Sequence, residues 1–301
     1  MSKWKMALAA VALVAACDGD PWAVDDGGGG GGEEPTDIVP EEVSRNLVAI
    51  NYDPSGNGGA GALYVNLDGL TASTQTVEFL RRPNLDVEGY KAFVYQEDGL
   101  QRSHLALVAT NERGTLESYA VADGGQFNRH FGGARFAQVT AYSGPSTGMF
   151  SYAGSYAGVF VPGDWANETL PDGMRPAEPW RVRGDALINA NFANSLVNGG
   201  ISNRVLLDDD GNPVTAIELD DLALASTTID DNGVFLGDVE FAGKPGGVIG
   251  DYAGAFGGNG ATDVAGVLVF NPIDDPNVWE YGVLNLPRCD LAGASPLCVP
   301  N

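Results

Sequence analysis

The sequence predicts an all-β fold, with a C-terminal eight-stranded antiparallel β-barrel preceded by a β-rich N-terminal domain. Three observations carry this. From Leu47 onward apolar residues alternate with period two, in runs separated by Gly, Asn, Asp and Pro. Glycine reaches 42 of 301 residues, about twice the usual share of roughly 7%, without a collagen-like triplet period. No long apolar helix pattern interrupts the runs, and an apolar content of 44% is enough for real cores.

The N-terminal runs fall at 47–52, 61–67, 75–81, 89–96, 102–110 and 114–122, with turns such as Glu97-Asp98-Gly99 and Asn111-Glu112-Arg113-Gly114 between them. The Gly-, Pro- and polar-rich stretch 123–146 reads as a boundary, which sets the N-terminal domain at 45–145 and the barrel at 146–288. The barrel opens at 149, where Phe150, Tyr152, Gly154, Tyr156, Gly158 and Phe160 occupy every other position and so share one face of a pleated strand. Aromatic rings beside glycines at that spacing imply close packing. Further runs follow at 181–194, 196–207, 214–225, 233–242, 249–257, 261–270 and 279–287. In the run at 233–242, Phe235, Gly237, Val239 and Phe241 alternate with Asp238 and Glu240, one face dry and the other wet. Asp208-Asp209-Asp210-Gly211-Asn212 and Asp230-Asp231-Asn232-Gly233 carry Asp-Gly and Asn-Gly hairpin chemistry. Eight strands on mostly short links argue for closure into an up-and-down barrel.

The first segment reads as an address. Lys3 and Lys5 precede an apolar run from Met6 to Ala16, well short of the roughly 20 residues that span a bilayer. Residues 1–16 are a signal peptide, and Val14-Ala15-Ala16-Cys17 has the form of a lipobox, with Cys17 as the lipidation site. The alternative is an ordinary secretory signal with Cys17 incidental. Residues 17–44, with Asp18, Asp20, Asp25, Asp26, Gly27 to Gly32, Glu33 and Glu34, form an acidic, glycine-rich tether with little to bury. Its glycine run lacks the Gly-Lys-Ser/Thr of a phosphate loop. Sixteen basic against 40 acidic residues give a net charge of -24, which repels phosphate backbones and excludes nucleic acid as a partner.

With Cys17 committed to lipid, Cys289 and Cys298 remain, in a C-terminal tail at 289–301. An oxidising compartment and a short loop favour a disulfide, and a metal site would need further soft ligands that the sequence does not place nearby.

Two segments carry a family resemblance. Gly250-Asp-Tyr-Ala-Gly-Ala-Phe-Gly-Gly-Asn-Gly-Ala-Thr-Asp-Val-Ala-Gly-Val-Leu-Val-Phe270 resembles the glycine-rich closing hairpin of transferrin-binding protein B-type barrels. Asp185-Ala-Leu-Ile-Asn-Ala-Asn-Phe-Ala-Asn194 is similar to that family's internal strand in which Phe and Asn alternate. The resemblance covers about residues 148–287. It implies a lipoprotein of the Gram-negative outer membrane, periplasmic or surface-facing, with a handle or clamp domain before its barrel; here the handle-like domain is 45–145. The chain has one barrel where the family's type member has two lobes, and single-barrel relatives include hemophilin-like haem-binding proteins. The family thus implies a protein partner or a haem or iron-related ligand.

A water-soluble barrel hung from a lipid fits the residues better than a spanning one. Arg181, Arg183, Asp185, Glu218, Asp220, Asp238 and Glu240 stud the strands, and the wet face lacks an aromatic girdle. No complete catalytic constellation is present, so the expectation is a binding protein and not an enzyme. Gly144-Pro-Ser-Thr-Gly148 has the string of a nucleophile elbow, but no helix pattern follows and both histidines precede Ser146. Asp208, Asp210 and Asn212 open like a calcium loop, but Pro213 stands where Gly is needed and Leu219 where the bidentate Glu belongs, so no metal site is assigned. His104 and His130 are the candidates for a haem iron ligand, with Phe127, Phe131 and Tyr142 as ring neighbours. Trp165, Trp180 and Tyr142 fall in or beside loops, where they either anchor a partner protein or plug the barrel mouth. The competing class is a structural or adhesive envelope lipoprotein with no small ligand.

Overall fold

The structure, a computed structural model, describes residues 39–298 apart from 70–74, 100, 126–128, 164–173, 175–177, 274 and 293. The signal peptide, Cys17, nearly all of the tether, Phe127 and Trp165 lie outside the described residues.

After one helical turn at Glu41–Ser44, seven strands form a meander: β1 (Leu47–Asp53), β2 (Ala62–Leu67), β3 (Val77–Arg81), β4 (Lys91–Tyr95), β5 (His104–Thr110), β6 (Leu116–Asp123) and β7 (Gly132–Gln138). The sheet curls until its edges nearly meet. Asn46 N–H donates to Gly132 O at 3.2 Å, and Arg135 Nη1 donates to Leu47 O and Val48 O at 2.9 Å each, which caps carbonyls of the β1 edge. Inside it Leu63, Val65, Phe79, Phe93, Val108, Tyr119 and Val121 form one core.

The strand β7 falls inside the stretch expected to be a boundary. Its Gly132-Gly133 pair is a close approach and not a turn. A Cβ on Gly132 would stand 2.6 Å from the Tyr281 ring, and one on Gly133 2.0 Å from Ser44 O. Glycine in a strand marks such an approach as readily as a loop.

The second sheet contains β8 (Met149–Val161), β9 (Trp180–Asn191), β10 (Leu196–Leu207), β11 (Pro213–Val214), β12 (Leu222–Thr228), β13 (Val234–Phe241), β14 (Val248–Gly257), β15 (Asp263–Phe270) and β16 (Trp279–Pro287). Pairing runs β10-β12-β13-β14-β15-β16-β8-β9, and β9 pairs back on β10, closing an eight-stranded antiparallel barrel; β11 only adds two residues to β10. The run expected at 214–225 is therefore broken, and Ile217 and Leu219 between β11 and β12 pack against the barrel's inner core. The glycine-rich Gly250–Phe270 hairpin is β14–β15, while closure is made by β16 on β8 and by β9 on β10.

Period two places Tyr152, Tyr156 and Phe160 inside with Ile188, Phe235, Tyr252, Phe256, Leu284 and Leu286. Glycines opposite the rings make room. Gly237 pairs with Tyr252 and Gly254 with Phe235, and a Cβ would stand 2.6 Å from the Tyr252 ring at the first and 2.5 Å from the Phe235 ring at the second.

The expectation that water wets the barrel's outside holds for only part of the wall. Ala157, Val159, Ala253, Ala255, Ala265, Val267, Val269 and Val283 face outward and form a second core with Leu105, Leu107, Leu116, Ala120, Ala122 and Phe136 of the N-terminal sheet. All eight residues of β15 are consequently buried, on both faces of the strand. The uncovered wall carries Arg183, Asp185, Asn189, Asn198, Asp238 and Glu240, where a lipid-facing band would be apolar. Among the described residues no helix is long and apolar enough to cross a membrane.

Candidate functional site

The barrel interior is filled by side chains. Phe192, Phe235, Tyr152 and Phe256 form a cluster with ring centroids 5.1–5.4 Å apart around Phe256. Trp180 is 5% exposed and lies with Phe160 in a parallel stack at 5.7 Å. It fills one end of the barrel. In the wall nearby, Arg204 of β10 pairs with Glu280 of β16, and Tyr156 Oη donates to Glu280 Oε1 at 2.6 Å. Burial and the Glu280 carboxylate together hold the Tyr156 hydroxyl well above its ordinary pKa. Arg204 reaches the interior because Asn203, at φ 54°, makes a bulge that shifts the strand's register between Ser202 and Val205.

The two histidines come to the same end of the N-terminal sheet, on either side of a buried Asp123. His104 opens β5, directly opposite Tyr95 and Asp123, and is 3% exposed, with Phe79 and Tyr95 rings at 6.5 and 6.3 Å. Its two ring nitrogens make no hydrogen bond of ordinary geometry among the described residues. Asp123 pairs with Arg102 and accepts Gly125 N–H at 3.0 Å and Phe131 N–H at 3.2 Å. His130 is half-buried beside Trp279 at 5.6 Å and Tyr281 at 6.3 Å. Burial depresses both imidazole pKa values, and the Asp123 carboxylate opposes it in each case. Tyr142 is half-buried, with its ring against Gly233 and the barrel's inner core.

The other sequence motifs resolve into turns. Ser146 lies in an irregular link that leads straight into β8. Asp208 accepts the Asn212 and Gly211 backbone N–H groups at 2.7 and 3.0 Å, which makes the acidic run a tight hairpin turn. Among the described residues no three His, Cys, Asp or Glu side chains converge as metal ligands. Between the sheet and the barrel, a cleft of about 70 Å³ is lined by Leu105, Trp180 and Leu207, with the buried Arg181 at its edge.

The larger feature is a groove of about 710 Å³ on the uncovered outer wall of β8, β9 and β10. The same alternation that points Ile188, Ala190 and Phe192 inward turns Leu187, Asn189 and Asn191 outward. Register places Ser151 opposite Asn189 and Asn189 opposite Asn198; on β12, Ser226 stands at the register shift facing Asn198. One wall is the C-terminal loop, where Cys289 and Cys298 are joined by a disulfide. That loop is held to the barrel by Cys289 N–H donating to Ser151 O at 2.8 Å and by the Arg288 guanidinium 4.3 Å over the Phe150 ring. Sequence reasoning found the Asn-rich strand and the disulfide but not that they meet. The alternation at 187–191 contained the signal for the floor; nothing local encodes the fold-back of the tail.

No family model matches the chain. No curated protein matches it either. Among solved structures it is similar to transferrin-binding protein B of Haemophilus parasuis Hp5, in a Tyr-167-Ala and Trp-176-Ala double mutant, at 13% identity and TM-score 0.37, over 76% of this chain and 50% of that one. It is similar to isotype 1 transferrin-binding protein B of serogroup B Neisseria meningitidis at 11% identity and TM-score 0.36, over 80% and 52%. A structure described as a surface lipoprotein aligns at 16% identity and TM-score 0.37, over 60% of this chain and 79% of that one. The chain spans about half the length of the transferrin-binding proteins it resembles.

Proposed function

We propose that this chain is a lipid-anchored cell-envelope protein that holds a partner protein non-covalently and catalyses no reaction. One observation supports this above the others: the barrel interior is packed with interlocked rings and an ion pair, whereas a large groove lies open on the outer wall. A filled barrel has no room for the small ligand that an eight-stranded barrel can otherwise carry, so recognition falls to its outside. Lys3, Lys5, the apolar run to Ala16 and Cys17 support the anchor, and the acidic tether supports a domain standing off the membrane.

The test is photo-crosslinking in intact cells. A photoreactive residue at position 187 is expected to capture a discrete protein that the same residue at 248, a still more exposed apolar position on the barrel, does not. Identical capture at the two positions overturns the reading and leaves a structural envelope role. Metabolic palmitate labelling, present in the wild type and lost in Cys17→Ser, tests the anchor.

A second reading has its own observation. His130 sits half-buried beside the partly exposed Trp279 ring and the buried Tyr281 ring, and of the two imidazoles its ring nitrogens lie nearer the surface, where they could meet a haem iron. A Soret band on haem titration, lost in His130→Ala or His104→Ala, would make haem the ligand.

A further inference from the structure

We propose that the outer-wall groove takes an extended, uncharged peptide segment and reads it through its main-chain amides. This rests on the partner-protein reading above and names the chemistry of the partner at that site.

The floor of the groove is a row of uncharged hydrogen-bonding side chains crossing four adjacent strands: Ser151, Asn189, Asn198 and Ser226. Adjacent strands lie about 4.8 Å apart, so the row spans about 14 Å. A carboxamide carries the same donor and acceptor as a peptide group, and can pair with a backbone amide on both sides at once. Ser151 Oγ donates to Asn189 Oδ1 at 2.7 Å. This engages the oxygen and leaves the Asn189 amide hydrogens for an incoming carbonyl.

Apolar contacts flank that row. Among the described residues seven large apolar side chains are strongly exposed, and three of them, Met149 at 78%, Leu187 at 42% and Leu297 at 42%, line this one groove. Such convergence of exposed apolar side chains on one groove marks an interaction site.

Charge selects the occupant. The chain carries 40 acidic residues, yet the groove is lined by one carboxylate, Asp290, and Arg288 Nε neutralises it at 2.6 Å. An acidic segment is repelled by the net charge of -24, and a basic one, although drawn to the molecule as a whole by that charge, finds no unpaired carboxylate lining the groove to hold it there. A neutral segment meets neither penalty. A glycan would share the hydrogen bonds, but sugar rings seat their C–H faces on open aromatic faces, and the groove's ring, Phe150, has its face under the Arg288 guanidinium.

The test is selection of phage-displayed random twelve-residue peptides on the detergent-solubilised, oxidised full-length chain, with a glycan array in parallel. Enriched peptides are expected to be uncharged with apolar residues at alternate positions. Their binding should weaken at least tenfold in Leu187→Glu and in Asn198→Arg, and upon N-methylation of their central amides, while Val248→Glu leaves it unchanged. Leu187 and Asn198 are exposed, and equal melting temperatures would show the variants to be folded. Enriched peptides that bind Leu187→Glu and Asn198→Arg as tightly as the wild type, or that tolerate N-methylation, overturn the proposal. Glycan binding lost in the same variants overturns the peptide chemistry and leaves the groove as the site. A selection that yields nothing while the position-187 photo-crosslink to a protein persists overturns the extended-peptide chemistry alone; loss of both overturns the partner-protein reading as well.

Discussion

Arg204 and Glu280 pair inside the barrel wall with both side chains fully shielded from solvent, and Tyr156 supplies a hydrogen bond to the second carboxylate oxygen. The three side chains come from β10, β16 and β8, so the pair ties together strands far apart in sequence. Removing one partner leaves an uncompensated buried charge, so Arg204→Met or Glu280→Gln should each cost about 3–5 kcal/mol in urea unfolding. The double replacement Arg204→Met with Glu280→Leu should recover most of that loss, because it removes both charges. Tyr156→Phe should cost about 1–3 kcal/mol by leaving a carboxylate oxygen unsatisfied. Additive single and double effects would show that the pair is not coupled.

Gly237 and Gly254 lie opposite aromatic rings on the inner face, and the rings occupy the space a side chain would take. Gly237→Ala should destabilise by about 1–3 kcal/mol, the usual cost of overpacking a filled core. Gly99 has nothing within 4 Å of an added Cβ, so Gly99→Ala should stay within about 0.5 kcal/mol. Equal effects at the two positions would mean that the glycines serve flexibility and not packing.

These glycines also show how far the sequence could be read. Period two is a local property of the chain, so the aromatic–glycine alternation at 150–160 was enough to identify a dry inner face, and six of the seven strands of the N-terminal sheet and seven of the eight barrel strands left apolar runs at nearly the right places. Three things escaped for physical reasons. The glycine pair at 132–133 packs against elements distant in sequence, and no local pattern separates such contacts from a turn. Arg204 points inward only because of the bulge at Asn203; strict alternation from Ile201 would have turned Arg204 outward. The all-buried strand β15 reflects coverage by another sheet, which its own residues signal only as a continuous apolar run. For the site, the outward Asn189 and Asn191 followed from the inward Ile188 and Ala190. The tail that walls the groove is a tertiary contact.

Acid should weaken the N-terminal sheet through its histidines. His104 and His130 have folded-state pKa values below the ordinary 6.5, because burial penalises the imidazolium. Below about pH 6.5 the unfolded chain takes up protons that the folded chain refuses, so stability present at neutral pH is lost as the pH falls toward the depressed folded values. Thermal melts at pH 7.5 and 5.0 should show a lower midpoint in acid beyond the effect of the carboxylates. His104→Phe keeps a ring among Phe79 and Tyr95 and should reduce the difference. A variant with the same pH dependence as the wild type would exclude His104 as the titrating group.

The disulfide between Cys289 and Cys298 should matter to the groove far more than to the barrel. It closes a short loop, which in the chain-entropy account contributes about 2–3 kcal/mol to the order of that loop. The barrel itself closes through β16 on β8 and β9 on β10, upstream of both cysteines, and its core contains no residue of the tail. Cys289→Ser with Cys298→Ser should therefore change the barrel's melting temperature little, while amide exchange over 290–298 rises at least tenfold as the loop opens locally. Leu297 then leaves its place in the groove wall, and a peptide selected on the oxidised protein should bind at least tenfold more weakly. Undiminished binding with an exchanging loop would show that the wall is dispensable and that the floor row alone carries recognition.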